Sequence, residues 1–304
     1  MKTLIKIGIF SILLGLIILY KDNIVDIYNE IVIKFSKEDE LIKNEYYKKD
    51  NYEFIKNTNE FRPAKKQDLY NIYYTVINSG MKKYSFYCST KYNNCLDDVK
   101  EIASNRNLLS NINNYVHPYN SFNNIETEYN NYGKITIKLK HAYTKEQITE
   151  INKKIKEIEK ELFIDNKLSD VEKIKLVHDY IINNTTYDSD RSDKGIIKYK
   201  SDIAYGPLFE KYAICGGYSD LMAIFLEDLK IKNYKISTDS HVWNAVNING
   251  NWLHIDLTWD DPITSDKSNI IDHKFLLIDT KKLLEIEPTQ HNFDGSIYKE
   301  LDVK

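Results

Sequence analysis

The chain of 304 residues carries 42 Lys and Arg against 45 Asp and Glu, a formal charge of −3. So even a balance excludes a nucleic-acid binder that relies on a broad basic surface. Hydrophobic residues make up 42% and aromatics 12%, which excludes global disorder, and ten Gly with five Pro exclude a linker-dominated protein. The length suits about two domains.

Lys2 and Lys6 precede an uncharged run from Ile7 to Tyr20. From Leu4 the apolar stretch is 17 residues, about 25 Å as a helix, which reaches the short limit for a bilayer span. No small-residue cleavage site follows it, so residues 1–22 read as an uncleaved signal anchor, with a cleaved secretory signal as the alternative. Lysines on both flanks leave the positive-inside bias weak. A very short tail before a large domain fits the tail in the cytoplasm and the domain outside. Residues 23–60 continue as helix from Ile24 to Phe35, then turn densely charged, and read as a solvated stalk.

Residues 61–143 read as a small α+β domain with no catalytic pattern. Helical periodicity covers Lys65 to Asn78, a strand covers Lys83 to Cys88, and a second helix covers Leu96 to Ala103. Alternating runs Phe122–Tyr129 and Lys134–His141 flank an Asn/Gly turn and predict a hairpin. Cys88 and Cys95 stand close enough to close a small disulfide loop, adding about 2–3 kcal/mol if oxidised. Such a bond speaks for an oxidising compartment. His117 and His141 are read as structural.

Residues 144–290 form the second domain. Ile148, Ile151, Ile155, Ile158 and Leu162 mark one buried helical stripe. Ser169 and Glu172 form a capping-box pattern at the start of another helix, which carries His178 near the edge of its packed face. A polar loop, 186–204, follows. Residues 291–304 read as a polar C-terminal tail, and His291 receives no role.

Three runs stand apart. Ala213 to Asp220 opens a strongly apolar helix, placing Cys215 at its N-terminus, where backbone amides and the helix dipole favour a thiolate. Gly216 and Gly217 leave the backbone there open to a substrate. The runs Val242–Ile248 and Asn251–Leu257 alternate as strands joined at Asn249-Gly250, the strongest short hairpin signal. With those two in the turn, paired positions sum to 499, and His241 falls on the same sheet face as Asp256, facing the helix that begins with Cys215. That is a nucleophile, a base and an orienter. The spacing alone leaves open a small buried cysteine and a His–Asp pair that merely hydrogen-bond.

Together these runs resemble the transglutaminase-like superfamily in its bacterial branch: Cys215-Gly216-Gly217-Tyr218, then His241-Val242-Trp243-Asn244, then Trp252 through Pro262 with Asp256 inside it. The resemblance covers about residues 165–280. It implies a papain-like α+β core, with Cys215, His241 and Asp256 as nucleophile, base and orienter. Ser240 stands where Gly often precedes the His, and Gly216 where a charged residue is common, which leaves substrate preference open. Tyr205, Gly216, Tyr218 and Trp243 are candidates for the substrate cleft, with Tyr212 another tyrosine upstream of the thiol. His254 either supports Asp256 or simply packs, and Asp260 and Asp261 shape the turn before Pro262. No cofactor motif and no metal-ligand spacing appears. The expectation is a membrane-anchored, extracytoplasmic thiol enzyme acting on protein or peptide amides, with cell-wall or cell-surface material as the substrate class. A catalytically idle binding module and a cysteine peptidase are the alternatives.

Overall fold

The computed structural model describes residues 31, 39–89, 91–165, 167–262 and 271–301. The predicted anchor, residues 1–22, lies outside them. Among the described residues no helix is long and apolar enough to cross a membrane.

The first layer begins with helix α1 (Lys66–Ser79), which buries Leu69, Ile72, Tyr73, Val76 and Ile77. Strand β1 (Lys83–Tyr87) follows, and Cys88 just after it is bonded to Cys95, the first residue of α2 (Cys95–Ser104). Helix α3 (Arg106–Asn113) was not evident from periodicity, because only Leu109 and Ile112 of its eight residues are buried. The hairpin of β2 (Phe122–Tyr129) and β3 (Lys134–His141) forms as the alternation predicts. Strand β3 sits centrally in an antiparallel β1-β3-β2 sheet and buries Ile135, Ile137 and Leu139.

The second layer opens with α4 (Lys145–Leu162) and α5 (Asp170–Asn183). Ser169 accepts from Glu172 N at 3.3 Å and its own N–H donates to Glu172 Oε2 at 2.8 Å, closing the capping box. The predicted polar loop contains a short strand β4 (Thr186–Tyr187) and helix α6 (Ser189–Lys194). Strand β4 pairs in parallel with β5 (Tyr212–Ala213), which delivers the chain to α7 (Cys215–Asp228). Apolar almost all round, α7 is buried almost all round, as such a helix must be.

An antiparallel sheet of β6 (Asn233–Ser237), β7 (Val242–Ile248), β8 (Asn251–Ile255) and β9 (Leu276–Ile278) packs on α7. Asn249 and Gly250 have φ of 53° and 89°, the left-handed pair that a tight hairpin requires, and the register runs from Ile248↔Asn251 to Asn244↔Ile255. One sheet face meets α7: Asn244 Nδ2 donates to Ser219 O at 2.9 Å, and Lys235 Nζ pairs with buried Asp220 at 2.5 Å. The other face, with Tyr234, Ile236, Trp243 and Ala245, joins the hydrophobic cluster of the first layer. Two short helices complete the region, α8 (Leu257–Asp260) and α9 (Thr280–Ile286).

Three expectations about organisation need correction. Residues 39–60 are no solvated stalk: Lys48 is buried with its Nζ 2.6 Å from Asn233 O, and Tyr52, Phe54 and Ile55 enter the first cluster. Residue 143 does not separate two cores, because the β6-β7-β8-β9 sheet shares its hydrophobic cluster with residues 52–139. Residues 291–301 are no loose tail either, since His291, Tyr298 and Leu301 are buried. Tyr298 OH donates to Asn111 Oδ1 at 2.8 Å and accepts from Asn114 Nδ2 at 2.9 Å and Ser237 N at 3.0 Å. Tyr298→Phe should therefore cost about 1–3 kcal/mol in urea unfolding, because it strands several of these polar groups. A loss within error of zero would remove this anchor from the account of the fold.

Candidate active site

Cys215, the unpaired cysteine, is half-buried at the first position of α7. The chain just before it is held by Ile214 N donating to Ser201 O at 2.8 Å. A Cβ on Gly216 would stand 2.7 Å from Asp202 O, and one on Gly217 would stand 2.4 Å from Ser201 O. The two glycines thus admit a neighbouring backbone segment. That corrects the expectation that they leave an open approach for substrate.

His241 lies one residue before β7 and is buried. Its Nε2 meets Asp256 Oδ2 at 2.5 Å, and Cys215 lies near enough to favour the charged ring. With Nε2 occupied by the carboxylate, Nδ1 is the nitrogen left for the thiol. The three expected residues are thus together, but not across the sheet face: β7's odd-numbered side chains look toward the first layer, and His241 reaches Cys215 at the end of the sheet. Burial works against a charged imidazole, yet Asp256 first and then Cys215 push His241 up to about 10. Burial would also raise the Asp256 carboxyl, but His241 and His291 hold it well below the usual carboxylate range.

His291 is the residue that the sequence reading missed. Wholly buried, it brings Nε2 to 2.8 Å from the same Asp256 Oδ2, while Nδ1 lies 3.2 Å from the carbonyl and carboxylate oxygens of Glu287. Its ring stands edge-on to His241 at 5.4 Å and to Trp243 at 4.8 Å, and stacks on Phe275 at 5.4 Å. Asp256 Oδ1 accepts from Thr258 N at 2.9 Å and Trp259 N at 3.3 Å, capping α8. A polar-looking stretch of sequence gave no signal for His291, 35 positions beyond its partner.

The remaining candidates divide. Trp243 stacks on His241 at 5.6 Å and 15°, and its Nε1 donates to His254 Nδ1 at 3.0 Å, so it walls the imidazole and is not a substrate platform. Burial, with His291 next, pushes His254 down to about 3, which keeps it a neutral acceptor for that bond. Tyr218 is buried and hydrogen-bonded to Asp261, tying α7 to the turn after α8. Tyr205 packs on Phe209 at 4.7 Å under Lys200, and Glu150 of α4 raises its hydroxyl. Tyr212 stacks on Tyr199 at 4.1 Å. Tyr187, not singled out from sequence, has a hydroxyl raised by burial and then by nearby groups that include Cys215.

Among the described residues, two groups bring metal-binding atoms within 4.8 Å of one another: His241, Asp256 and His291, and separately His178, Asp179 and His273. In the first, both imidazoles already bond to one carboxylate oxygen.

A half-buried thiol at a helix start, beside a His–Asp pair at the end of an antiparallel sheet, defines the site of a thiol-enzyme fold. Residues 156–257 match the family model of the transglutaminase-like superfamily, about a third of the chain. The match takes in Cys215, His241 and Asp256 and stops short of His291. Two solved structures align with part of the chain. One, a crystal structure of a TGase, is 18% identical, with 49% of this chain and 47% of that chain covered at a TM-score of 0.35. The other, a Cytophaga hutchinsonii protein provisionally described as a cysteine protease, is 16% identical, covering 44% and 61% at 0.28. The aligned region thus spans less than two thirds of either chain. No curated protein matches the sequence.

The linked titrations set a pH window. His241, raised from 6.5 to about 10, contributes stability that is complete below pH 6.5 and is lost as pH rises through 10. Asp256, depressed, contributes stability present above its unfolded value and lost as pH falls through its folded one. Ring-labelled NMR should show His241 titrating near 10. In Asp256→Asn that midpoint should fall by several units, because burial then acts with little to oppose it. A wild-type midpoint near 6.5 would contradict the geometry.

Proposed function

We propose that the protein is a membrane-anchored, extracytoplasmic thiol enzyme that transfers acyl groups from amides of protein or peptide substrates, to an amine or to water. The observation that carries this reading is the Cys215–His241–Asp256 set within the matched core. The Cys215 thiolate attacks the amide carbon, forming a C–S bond and moving the carbonyl electrons onto oxygen. The first amides of α7 have no partner within the helix and serve as donors to that oxyanion. His241 gives its Nδ1 proton to the leaving nitrogen, the C–N bond breaks, and a thioester remains. An incoming amine or water then gives a proton to Nδ1 and displaces the thiolate, which restores the starting pair. Asp256 keeps the ring in one orientation and stabilises its charge throughout.

Two features support the location. The apolar run from Leu4 to Tyr20 has the composition of a membrane anchor. The Cys88–Cys95 disulfide suits an oxidising compartment. A cavity of about 720 Å³ includes Ser240, the residue before His241, in its lining with Asn111, Thr238, Asp239, Asn292 and Phe293, while Cys215 and His241 do not line it.

The test uses full-length protein in detergent. Wild type should react with iodoacetamide at Cys215 faster than a free thiol does, and should release ammonia from a glutamine peptide. A fluorescent primary amine should be incorporated if transfer dominates, whereas hydrolysis leaves glutamate or a cleaved peptide. Cys215→Ala should abolish every product, and Asp256→Asn should slow turnover by about 10³- to 10⁴-fold. Slow labelling together with no acyl-enzyme would instead favour a binding module that has kept the fold.

A further inference from the structure

We propose a second site, separate from Cys215, that binds a zinc-class divalent cation through His178 Nδ1, the Asp179 carboxylate and His273 Nε2. His178 and Asp179 come from α5, and His273 from the connection into β9. The donor atoms lie close: Nδ1 of His178 is 3.0 Å from Asp179 Oδ1, and Nε2 of His273 is 2.7 Å from that same oxygen. All three lie within 4.8 Å of one another. Zinc bonds of about 2.0–2.2 Å to nitrogen and oxygen place donors about 3–3.5 Å apart, so small adjustments would admit the ion.

The second observation is the other side of the His178 ring. Its Nε2 faces Asp260 Oδ2 at 3.1 Å, and both side chains are sealed from solvent. A neutral imidazole has one N–H, and the sealed carboxylate has most need of it. In that tautomer Nδ1 turns a lone pair toward the Asp179 carboxylate at 3.0 Å, so both atoms are free to ligate a cation. A carboxylate behind a histidine whose other nitrogen points at further donors is the outer-shell arrangement of protein zinc sites. Asp260 accepts from Phe275 N at 3.0 Å through its second oxygen, so its orientation is fixed.

Two nitrogens and one carboxylate suit zinc and its transition-metal neighbours, whereas calcium and magnesium prefer all-oxygen sets. Asp179 and His273 are partly exposed, at 28% and 39% of their side-chain surface, which provides an entry path and room for a water as fourth ligand. The ion would clamp α5 to the segment bearing Phe275, whose carbonyl accepts from Asp256 N at 3.1 Å.

The experiment uses tag-free, chelator-stripped, full-length protein in detergent, carrying Cys215→Ala so that the thiol cannot bind metal. Equilibrium dialysis against zinc should give one ion per chain, and the melting temperature should rise with zinc. His273→Ala and Asp179→Asn should each weaken binding by more than about tenfold, beyond what even an outer-shell change often costs, and should remove the thermal shift. His291→Ala should retain both. Absence of saturable zinc would overturn the proposal. Equal binding in His273→Ala, or loss only in His291→Ala, would also overturn it by placing the ion elsewhere. Because thiol chemistry is absent from this background, failure here says nothing against the acyl-transfer reading.

Discussion

The Asp256 carboxylate is the point at which the structure around Cys215 converges. One oxygen receives two imidazoles, at 2.5 and 2.8 Å, and the other caps a short helix through two backbone amides. A buried carboxylate would be costly without partners, and here every direction is occupied by a donor. The same group therefore fixes the angle of His241, starts the turn after β8, and anchors a segment 35 residues further along. Local geometry and distant chain are joined by one charge.

Support for that charge runs from the sheet and the end of the chain into the layer that looked like a separate domain. Trp243 packs flat beside His241 and is held by His254, whose Nε2 bonds to Thr280 Oγ1 at 3.0 Å; that hydroxyl in turn donates to Leu301 O at 2.8 Å. The aromatic cluster around Tyr115, Tyr234 and Tyr298 presses on the same sheet face from behind. The first layer thus acts as a buttress under the sheet that positions the imidazole. Its effect on the site is steric and passes through packed rings.

Local patterns were readable in sequence where one short stretch held all the information. The β2–β3 hairpin, the capping box at Ser169, the Asn249-Gly250 turn and the start of α7 at Cys215 each rest on neighbouring residues. His241 and Asp256 could be brought together because a two-residue turn fixes register. What escaped depends on long-range packing. His291 sits in a polar stretch whose few apolar residues carry no periodicity, so nothing marked it as buried. Lys48, a charged residue in a charged run, is buried because Glu227 and Asn233 receive its ammonium, and neither is near it in sequence. The glycines beside Cys215 were legible as close-approach positions, but sequence could not tell a substrate from the backbone of Ser201 and Asp202.

The long reach from Asp256 to His291 also orders events in time. A growing chain acquires Cys215, His241 and Asp256 well before residue 291 is made, and during that interval one donor to the shared carboxylate is missing. Tyr298 and Leu301, which lock the segment down, arrive later still. The nascent polypeptide therefore carries its thiol in an unfinished setting, and the finished one forms only once the segment around His291 has docked on Asp256.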